Sequence, residues 1–366
     1  MSEVVRGARR LENLGQLDFE SNSIGFLRIV LATVVLLSHG WHMGEFSTEP
    51  LMAYTHGIFS AGYLAVGGFF TLSGFLITRS GETMSGPTRF LWHRILRIYP
   101  GFWMCLAVTA FVIAPIIYAV QNGTLHGFLA MHNGPTAYVV QNASLILLQQ
   151  NIGNLMAAYA YPETINGSLW TLAWEFNCCV CVAVFGIFTI YRLPKLAPVA
   201  VALLIAASLY FEKMVHSPIL IGLIPALGLF IFFWIGASAY LFRERIPMHW
   251  ALALLSVAVA AIALPTGLRR EIVPIPVAYL TLFAALYVPV RSFDRRIDLS
   301  YGLYLYGMPV EKIATLFGLN RIGMLAYFLI AMAGGLTLAA ASWFLVERPA
   351  STLRPLRVGI SRQQTG

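Results

Sequence analysis

The stretch from Ile24 to His42, IGFLRIVLATVVLLSHGWH, is apolar except for one arginine and the histidines near its end. It is long enough to cross a membrane as a helix. Arg28 and His39 are 11 residues apart, so a helix would place both side chains on one face, about 16 Å apart along its axis. Ionisable groups within a span usually face a protein interior or a water-filled cavity. The alternative is that Arg28 extends toward one membrane surface and His39 lies near the other.

The composition extends this interpretation to the whole chain. Of the 366 residues, 58% are hydrophobic and 11% are charged, whereas soluble domains carry about 25% charged residues. We therefore predict an all-α polytopic integral membrane protein. About ten transmembrane helices are expected, although the shortest runs are near the lower limit for a span. The ten apolar runs cover residues 24–42, 57–78, 99–120, 168–190, 196–211, 219–242, 249–264, 274–290, 299–318 and 323–345.

The distribution of basic residues predicts the orientation. With the N-terminus inside, 18 of the 24 Lys and Arg residues fall on the inner side and five on the outer side, while Arg28 lies within the membrane. This asymmetry satisfies the positive-inside rule and predicts that both termini are cytoplasmic. Residues 1–23 are then a cytoplasmic tail, residues 24–346 the transmembrane domain and residues 347–366 a basic cytoplasmic tail. Residues 121–167 form one long outer segment. Because the charge is spread over short loops, we expect membrane lipid and no nucleic acid as a partner. No pattern in the sequence predicts an oligomer.

The cysteines do not form a pattern typical of a metal site. Cys178, Cys179 and Cys181 fall in one apolar run, and no second pair with zinc-ligand spacing exists. We therefore predict that they pack in the interior and that the protein holds no metal.

A basic patch follows the second apolar run. Arg89, His93, Arg94 and Arg97 lie close together in the sequence, and Arg28 is expected near the same level. Such a patch either attracts anionic lipid or holds the phosphates of a ligand through bidentate guanidinium contacts.

The apolar runs also contain isolated polar groups. Glu175 and His39 are expected at similar depth, where they could form a base and its orienting carboxylate or a structural polar pair. Ser73 lies among the small residues Gly67, Gly68 and Gly74, which favour close helix packing or close approach to a threaded ligand. Tyr304 lies deep in the ninth run, which suggests a polar contact. We predict that Trp170, Tyr304 and Ser73 contact the substrate.

Several motifs occur together in a fixed order. These are Arg-x10-His at residues 28–39, Phe-Phe-x-Leu-Ser-Gly-Phe-Leu-Ile at 69–77, Arg-x-x-Arg-Ile-x-Pro at 94–100, Leu-Trp-Thr-Leu-x-x-Glu at 169–175, Ser-Tyr-Gly-Leu-Tyr-Leu-Tyr at 300–306 and Phe-Leu-Val-Glu-Arg-Pro at 344–349. In this order the chain resembles the acyltransferase 3 family of membrane O-acyltransferases, which includes acetylases of bacterial exopolysaccharide, lipopolysaccharide O-antigen and Nod factors. The resemblance covers roughly residues 20–350.

The resemblance implies transfer of an acyl group, usually acetyl, from cytoplasmic acyl-CoA to a sugar hydroxyl. Acetyl-CoA is then a co-substrate rather than a permanently bound cofactor, and the acceptor is a saccharide or a lipid-linked saccharide. The implied location is the bacterial inner membrane. By position, Arg28 and His39 match the family's essential pair, Glu175 its fourth-helix carboxylate, and Arg94, Arg97 and Pro100 its inner-loop motif. We therefore expect His39, Glu175 and Arg28 to be catalytic, and the donor to bind at Arg28, Arg94, Arg97, Arg89 and His93. The chain departs from the family at His93, Gly67 and Gly307, where many members have arginine, an acidic residue and histidine.

Two other classes of protein fit the sequence. A proton-coupled transporter or flippase of a glycan precursor would also need buried His and Glu groups in many helices. The other is a non-catalytic scaffold of a polysaccharide-export complex. Binding of acyl-CoA separates the enzyme from both alternatives.

Overall fold

The computed structural model describes residues 13–19, 22–84, 86–157, 159, 164–188, 191–214, 224–266, 269–290 and 297–353. Within these ranges the chain is helical and contains no strand. The arginines predicted for the N-terminal tail, most of the basic C-terminal tail and the arginines at positions 291, 295 and 296 lie outside the described residues.

Fifteen α-helices are described, and two of their junctions are π-helical turns, Thr109–Ile113 and Trp343–Glu347. The helices are α1 (Ile24–Met43), α2 (Pro50–Tyr54), α3 (Ala61–Thr83), α4 (Pro87–Val108), α5 (Ala114–Asn122), α6 (Pro135–Asn142), α7 (Trp170–Phe188), α8 (Leu196–Met214), α9 (Ile224–Leu241), α10 (Trp250–Ala263), α11 (Arg269–Ile272), α12 (Pro274–Tyr287), α13 (Ser300–Leu316), α14 (Met324–Ser342) and α15 (Arg348–Thr352).

Six helical segments are long and apolar enough to cross a membrane: Ile24–Met43, Ala61–Thr83, Pro87–Asn122, Gly167–Gly186, Ile224–Leu241 and Met324–Thr352. Three shorter apolar helices are Leu196–Phe211, Trp250–Ala263 and Pro274–Tyr287, and α13 has 17 residues. Each of the ten predicted apolar runs thus contains a helix. The structure supports a multi-pass, all-helical membrane protein, whereas the number of ten spans and the sides of the termini stay predictions.

Helix α3 lies at the centre of the bundle, where it packs on α1, α7, α9 and α12. Its glycines allow this close approach. A Cβ on Gly74 would collide with the backbone carbonyl of Phe233, and one on Gly236 of α9 would collide with the carbonyl of Thr71. A Cβ on Gly67 would lie 2.6 Å from the Phe232 ring. Small residues therefore bring α3 and α9 into backbone contact, as expected for helix packing in membranes.

The helices run between two ends of the bundle. We call the end that holds Arg28 and Arg97 the basic end, and the end that holds His39 the histidine end. Helices α1, α4 and α13 run from the basic end, whereas α3 and α7 run toward it. At the histidine end, the amide of Asn142 donates to the Gln149 carbonyl at 2.7 Å and accepts from the Gln149 N–H at 3.0 Å. These bonds close a turn within the predicted outer segment.

The cysteines lie in the interior as the sequence predicts. Cys105, Cys178 and Cys179 are fully buried in the main hydrophobic core, and Cys181 is half-buried beside them. None of the four is in a disulfide.

The close contact between α3 and α9 yields a stability prediction. We expect Gly74→Ala to lower the thermal stability in detergent, because the new Cβ meets a backbone carbonyl that cannot rotate away. Overpacking of this kind costs about 1–3 kcal/mol. The control is Gly307→Ala in α13, where the nearest atom, Leu36 Cδ1, is 3.5 Å from the Cβ position. The melting temperature followed by tryptophan fluorescence checks this, and equal values for both variants would contradict it.

Candidate active site

A small polar cavity lies among α1, α3, α4, α7 and α13. We call it the arginine cavity, and its volume is about 60 Å³. That space can hold only a few water molecules. Its polar lining consists of Arg28, Ser73, Arg97, Thr171, Glu175, Ser300, Tyr301 and Tyr304. The cavity therefore brings together five of the predicted site residues, each from a different helix: Arg28, Ser73, Arg97, Glu175 and Tyr304.

A shared carboxylate joins two of the predicted donor-site arginines. Arg28 Nη1 donates to Asp298 Oδ2 at 2.8 Å, and Arg97 Nη2 donates to the same oxygen. The Ser300 hydroxyl donates to the other oxygen of Asp298 at 2.6 Å. Arg97 also lies 3.8 Å from Glu347 Oε2. The sequence analysis missed Asp298, although its position just before the ninth apolar run could have indicated it. Arg28 and Arg97 are thus already paired with carboxylates.

Glu175 lines the arginine cavity and accepts a hydrogen bond from Ser73 Oγ to its Oε1 at 3.1 Å. The predicted pairing of His39 with Glu175 is not formed, because His39 lines a different cavity. No hydrogen bond joins the two side chains in the described part of the chain. The Ser73 hydroxyl of α3 is the partner that Glu175 meets instead of the imidazole.

Tyr304 lines the arginine cavity on the side toward the histidine end. Its hydroxyl donates to the Ser168 carbonyl at 2.9 Å and lies 2.5 Å from Thr171 Oγ1. The polar contact predicted for Tyr304 is confirmed. Met308, one turn farther along α13, lines the next cavity toward the histidine end.

The histidine end contains a much larger cavity, which we call the histidine cavity. Its volume is about 630 Å³, within the usual range for small-molecule sites. The polar and aromatic residues of its lining include Ser38, His39, His42, Trp170, Trp174 and Asn177. Residues 145–147 and 150 of the predicted outer segment also line it. Trp170 and Trp174 are four residues apart, so they share one face of α7. The sequence analysis identified Trp170 and missed Trp174 and Asn177, which follow on the same helix.

The remaining predicted donor-site residues lie on α4 toward the basic end. Arg94 is half-buried, and its guanidinium lies 5.8 Å from the centre of the Phe90 ring. Among the described residues, Arg94 forms no ion pair, and its buried Nε has no hydrogen-bond partner. Arg89 and His93 are half-buried on the same helix and line neither cavity. Within the described ranges, no group of His, Cys, Asp and Glu side chains could hold a metal ion.

Fold and site together define a multi-pass helical membrane protein with ionisable groups lining two cavities between its helices. The sequence model of the acyltransferase 3 family, described as an acyltransferase domain, matches residues 21–344. The chain belongs to this family.

Two curated proteins are similar to the chain over most of their length. The O-acetyl transferase of Shigella phage Sf6 is 28% identical over 338 residues, covering 90% of this chain and 96% of that protein. Nodulation protein 10 of Rhizobium leguminosarum bv. viciae is 30% identical over 362 residues, covering 91% and 94%. No solved structure matches the chain significantly.

The shared carboxylate yields a prediction. We expect Asp298→Ala to lower thermal stability, because it leaves two neighbouring guanidinium groups without their common partner. Removing one partner of a buried ion pair costs on the order of 3 kcal/mol. The control is Glu244→Ala, which removes a 70% exposed carboxylate 3.8 Å from Arg243 and should cost little. Melting temperatures in detergent compare the two variants. If they match, Asp298 does not hold the basic end together.

Proposed function

We propose that the protein is a membrane O-acyltransferase that transfers an acetyl group from acetyl-CoA to a hydroxyl of a saccharide or a lipid-linked saccharide. The proposed location is the bacterial inner membrane, with the basic end facing the cytoplasm. The observation that carries the proposal is that His39 borders a cavity of substrate size and lies on the same helix as Arg28, which lines the arginine cavity. Membership of the acyltransferase 3 family supports the class of reaction.

His39 is the proposed general base. Its imidazole would take the proton of the acceptor hydroxyl as that oxygen attacks the thioester carbonyl. Collapse of the tetrahedral intermediate breaks the carbon–sulfur bond, and the departing thiolate takes the proton from the imidazolium. The products are the sugar ester and free CoA. The developing oxyanion needs a donor, and Ser38 Oγ or Trp170 Nε1 would serve, since both residues line the histidine cavity. Thr171 is engaged with Tyr304.

The arginine cavity is the proposed passage for the pantetheine arm of the donor. That arm contains two amide groups, which need acceptors for N–H and donors for C=O. Glu175 could accept from an amide N–H, and Arg28 could donate to an amide carbonyl. Ser73 would hold Glu175 in place through its present hydrogen bond. Because the cavity is small, Tyr304 and its bond to Thr171 must shift when the arm passes.

The histidine cavity is the proposed acceptor site. Trp170 and Trp174 offer aromatic surfaces for the apolar face of a sugar ring, while Asn177 and Gln150 offer hydrogen-bond partners for its hydroxyls. Its volume of about 630 Å³ would accept one sugar unit with part of a longer glycan.

Label transfer from acetyl-CoA tests the proposal directly. Membranes that contain the protein, incubated with acetyl-labelled acetyl-CoA, should yield ester-linked label on a glycan together with free CoA thiol. If a glycan precursor crosses the membrane and no acetyl-CoA is consumed, the protein is a transporter and not an acyltransferase.

Replacing His39 should remove most of the chemical step. We expect His39→Ala to lower kcat by about 10²–10⁴-fold, the usual contribution of a general base, while acetyl-CoA binding remains. The control is His132→Ala, an exposed histidine of the 121–167 segment, which should keep wild-type turnover. A folded His39→Ala protein with turnover near wild type would exclude this role.

Replacing Asn177 should weaken acceptor binding selectively. Asn177→Leu keeps a similar size but loses the amide, so KM for the glycan identified by labelling should rise by about 2–10-fold, the value of one neutral hydrogen bond. KM for acetyl-CoA should stay unchanged. Asn154→Leu, an exposed residue outside the cavity, is the control. A higher KM for acetyl-CoA alone would place the acceptor elsewhere.

A further inference from the structure

One buried carboxyl group has no part in the mechanism proposed above. Glu311 lies in the last two turns of α13, and its side chain is completely buried. Neither of its carboxyl oxygens has a hydrogen-bond partner, and it belongs to none of the ion pairs within the described ranges. An ionised carboxylate without a partner in such surroundings is very costly, so the group stays in its uncharged form. Ionisable side chains within membrane helices usually mark a functional site.

The Glu311 carboxyl lies against the backbone of α1 at Gly40. A Cβ on Gly40 would lie 2.7 Å from Glu311 Oε1 and would collide with the Phe328 ring of α14. Phe328 belongs to a buried apolar cluster together with Leu36 of α1 and Tyr327 of α14. The space that a side chain at position 40 would need is therefore occupied by one carboxyl group and one aromatic ring.

Hydrogen bonds tie the end of α1 to the same part of the bundle. The hydroxyl of Thr315, one turn after Glu311 on α13, donates to the Met43 carbonyl at 2.7 Å. The side-chain amide of Asn320 donates to the Gly44 carbonyl at 3.1 Å. The last carbonyls of a helix have no partner within it, so these two bonds satisfy groups that would otherwise be unpaired. The position of α1 at the histidine end is thus set by α13 and the residues that follow it.

His39 directly precedes Gly40 and therefore follows any displacement of this turn. Successive residues of a helix point about 100° apart, so the side on which Gly40 meets Glu311 differs from the side on which His39 and His42 line the histidine cavity. Glu311 itself is not part of the cavity lining. A residue in this position acts on the reaction through His39 and not through the substrate.

We propose that Glu311 is a positioning residue, whose uncharged side chain fills the space beside Gly40 and fixes the turn of α1 that holds His39 at the histidine cavity. This inference rests on the proposed function, in which His39 is the general base. The length and shape of the side chain at position 311 are then what the reaction requires, and neither a charge nor a hydrogen bond of the carboxyl is needed. A displacement of about 1 Å at a reacting group can cost about 10²-fold in rate.

Two replacements of Glu311 separate its shape from its chemistry. Glu311→Met keeps an unbranched side chain of similar length without carboxyl oxygens, so kcat for acetyl transfer should stay close to wild type. Glu311→Ala leaves a void beside Gly40, and we expect kcat to fall by about 10–100-fold while KM for acetyl-CoA stays unchanged. The melting temperature in detergent shows that each variant is folded. If Glu311→Met loses as much activity as Glu311→Ala, the carboxyl group itself is required and the positioning role is wrong.

Gly40→Ala tests the same contact from α1. Its added methyl group should displace the turn and lower kcat in the same way. In the double variant with Glu311→Ala, the methyl group and the Phe328 ring can use the space that the carboxyl has left, so kcat should be higher than in either single variant. The control is Gly334→Ala in α14, whose Cβ would lie 2.8 Å from Val310 Cγ1 of α13. It crowds α13 without contacting α1 and should keep the wild-type kcat.

Failure of this inference differs from failure of the proposed function. If folded Glu311→Ala and Gly40→Ala both keep the wild-type kcat, or if their losses add in the double variant, Glu311 does not position His39, although acetyl transfer stands. If Glu311→Ala does not fold, the comparison of Gly40→Ala with Gly334→Ala decides, and equal kcat values contradict the inference. If wild-type protein transfers no acetyl group from acetyl-CoA, the proposed function itself fails.

Discussion

The sharing of one carboxylate by two arginines holds the basic end of the bundle together. Arg28 comes from α1, Arg97 from α4, and Asp298 from the residues just before α13. Two guanidinium groups this close would repel each other in a medium of low dielectric constant if no anion lay between them. Asp298 therefore fixes the relative positions of three helices and, with them, the walls of the arginine cavity. The polar path along which we place the donor depends on this contact.

The helices, and the shared face of Arg28 and His39 on α1, could be predicted from the sequence because they depend on local pattern. Long apolar runs must be helical in a membrane, since every backbone group needs a partner, and the spacing of Arg28 and His39 places them on one side of α1. Partners across the bundle follow from tertiary packing instead. Asp298 is 270 residues from Arg28, and periodicity gives no information on such pairs. The expected pair of His39 and Glu175 failed because similar depth does not determine which neighbours two side chains meet.

The two cavities differ in polarity and size, and each fits a different part of the proposed reaction. The histidine cavity is wide and aromatic, which fits a sugar ring beside a base. The arginine cavity is narrow and closely balanced in charge, which fits an uncharged arm containing amides. Arg94, which forms no ion pair within the described ranges, lies on α4 toward the basic end, where its guanidinium faces the Phe90 ring. On α13, Tyr304 lines the arginine cavity and Met308, one turn farther, lines the histidine cavity.

The glycines of α3 determine which walls of the path can move. Gly74 and Gly236 put α3 and α9 in direct backbone contact, and backbone cannot change rotamer as a side chain can. The neighbouring face of α3, with Ser73, lines the arginine cavity. Helix α3 is consequently a fixed wall, and any widening must come from the other four helices that line the cavity, among which α7 and α13 meet through the Tyr304–Thr171 contact. Passage of the substrate then requires α7 and α13 to move apart while α3 keeps its position.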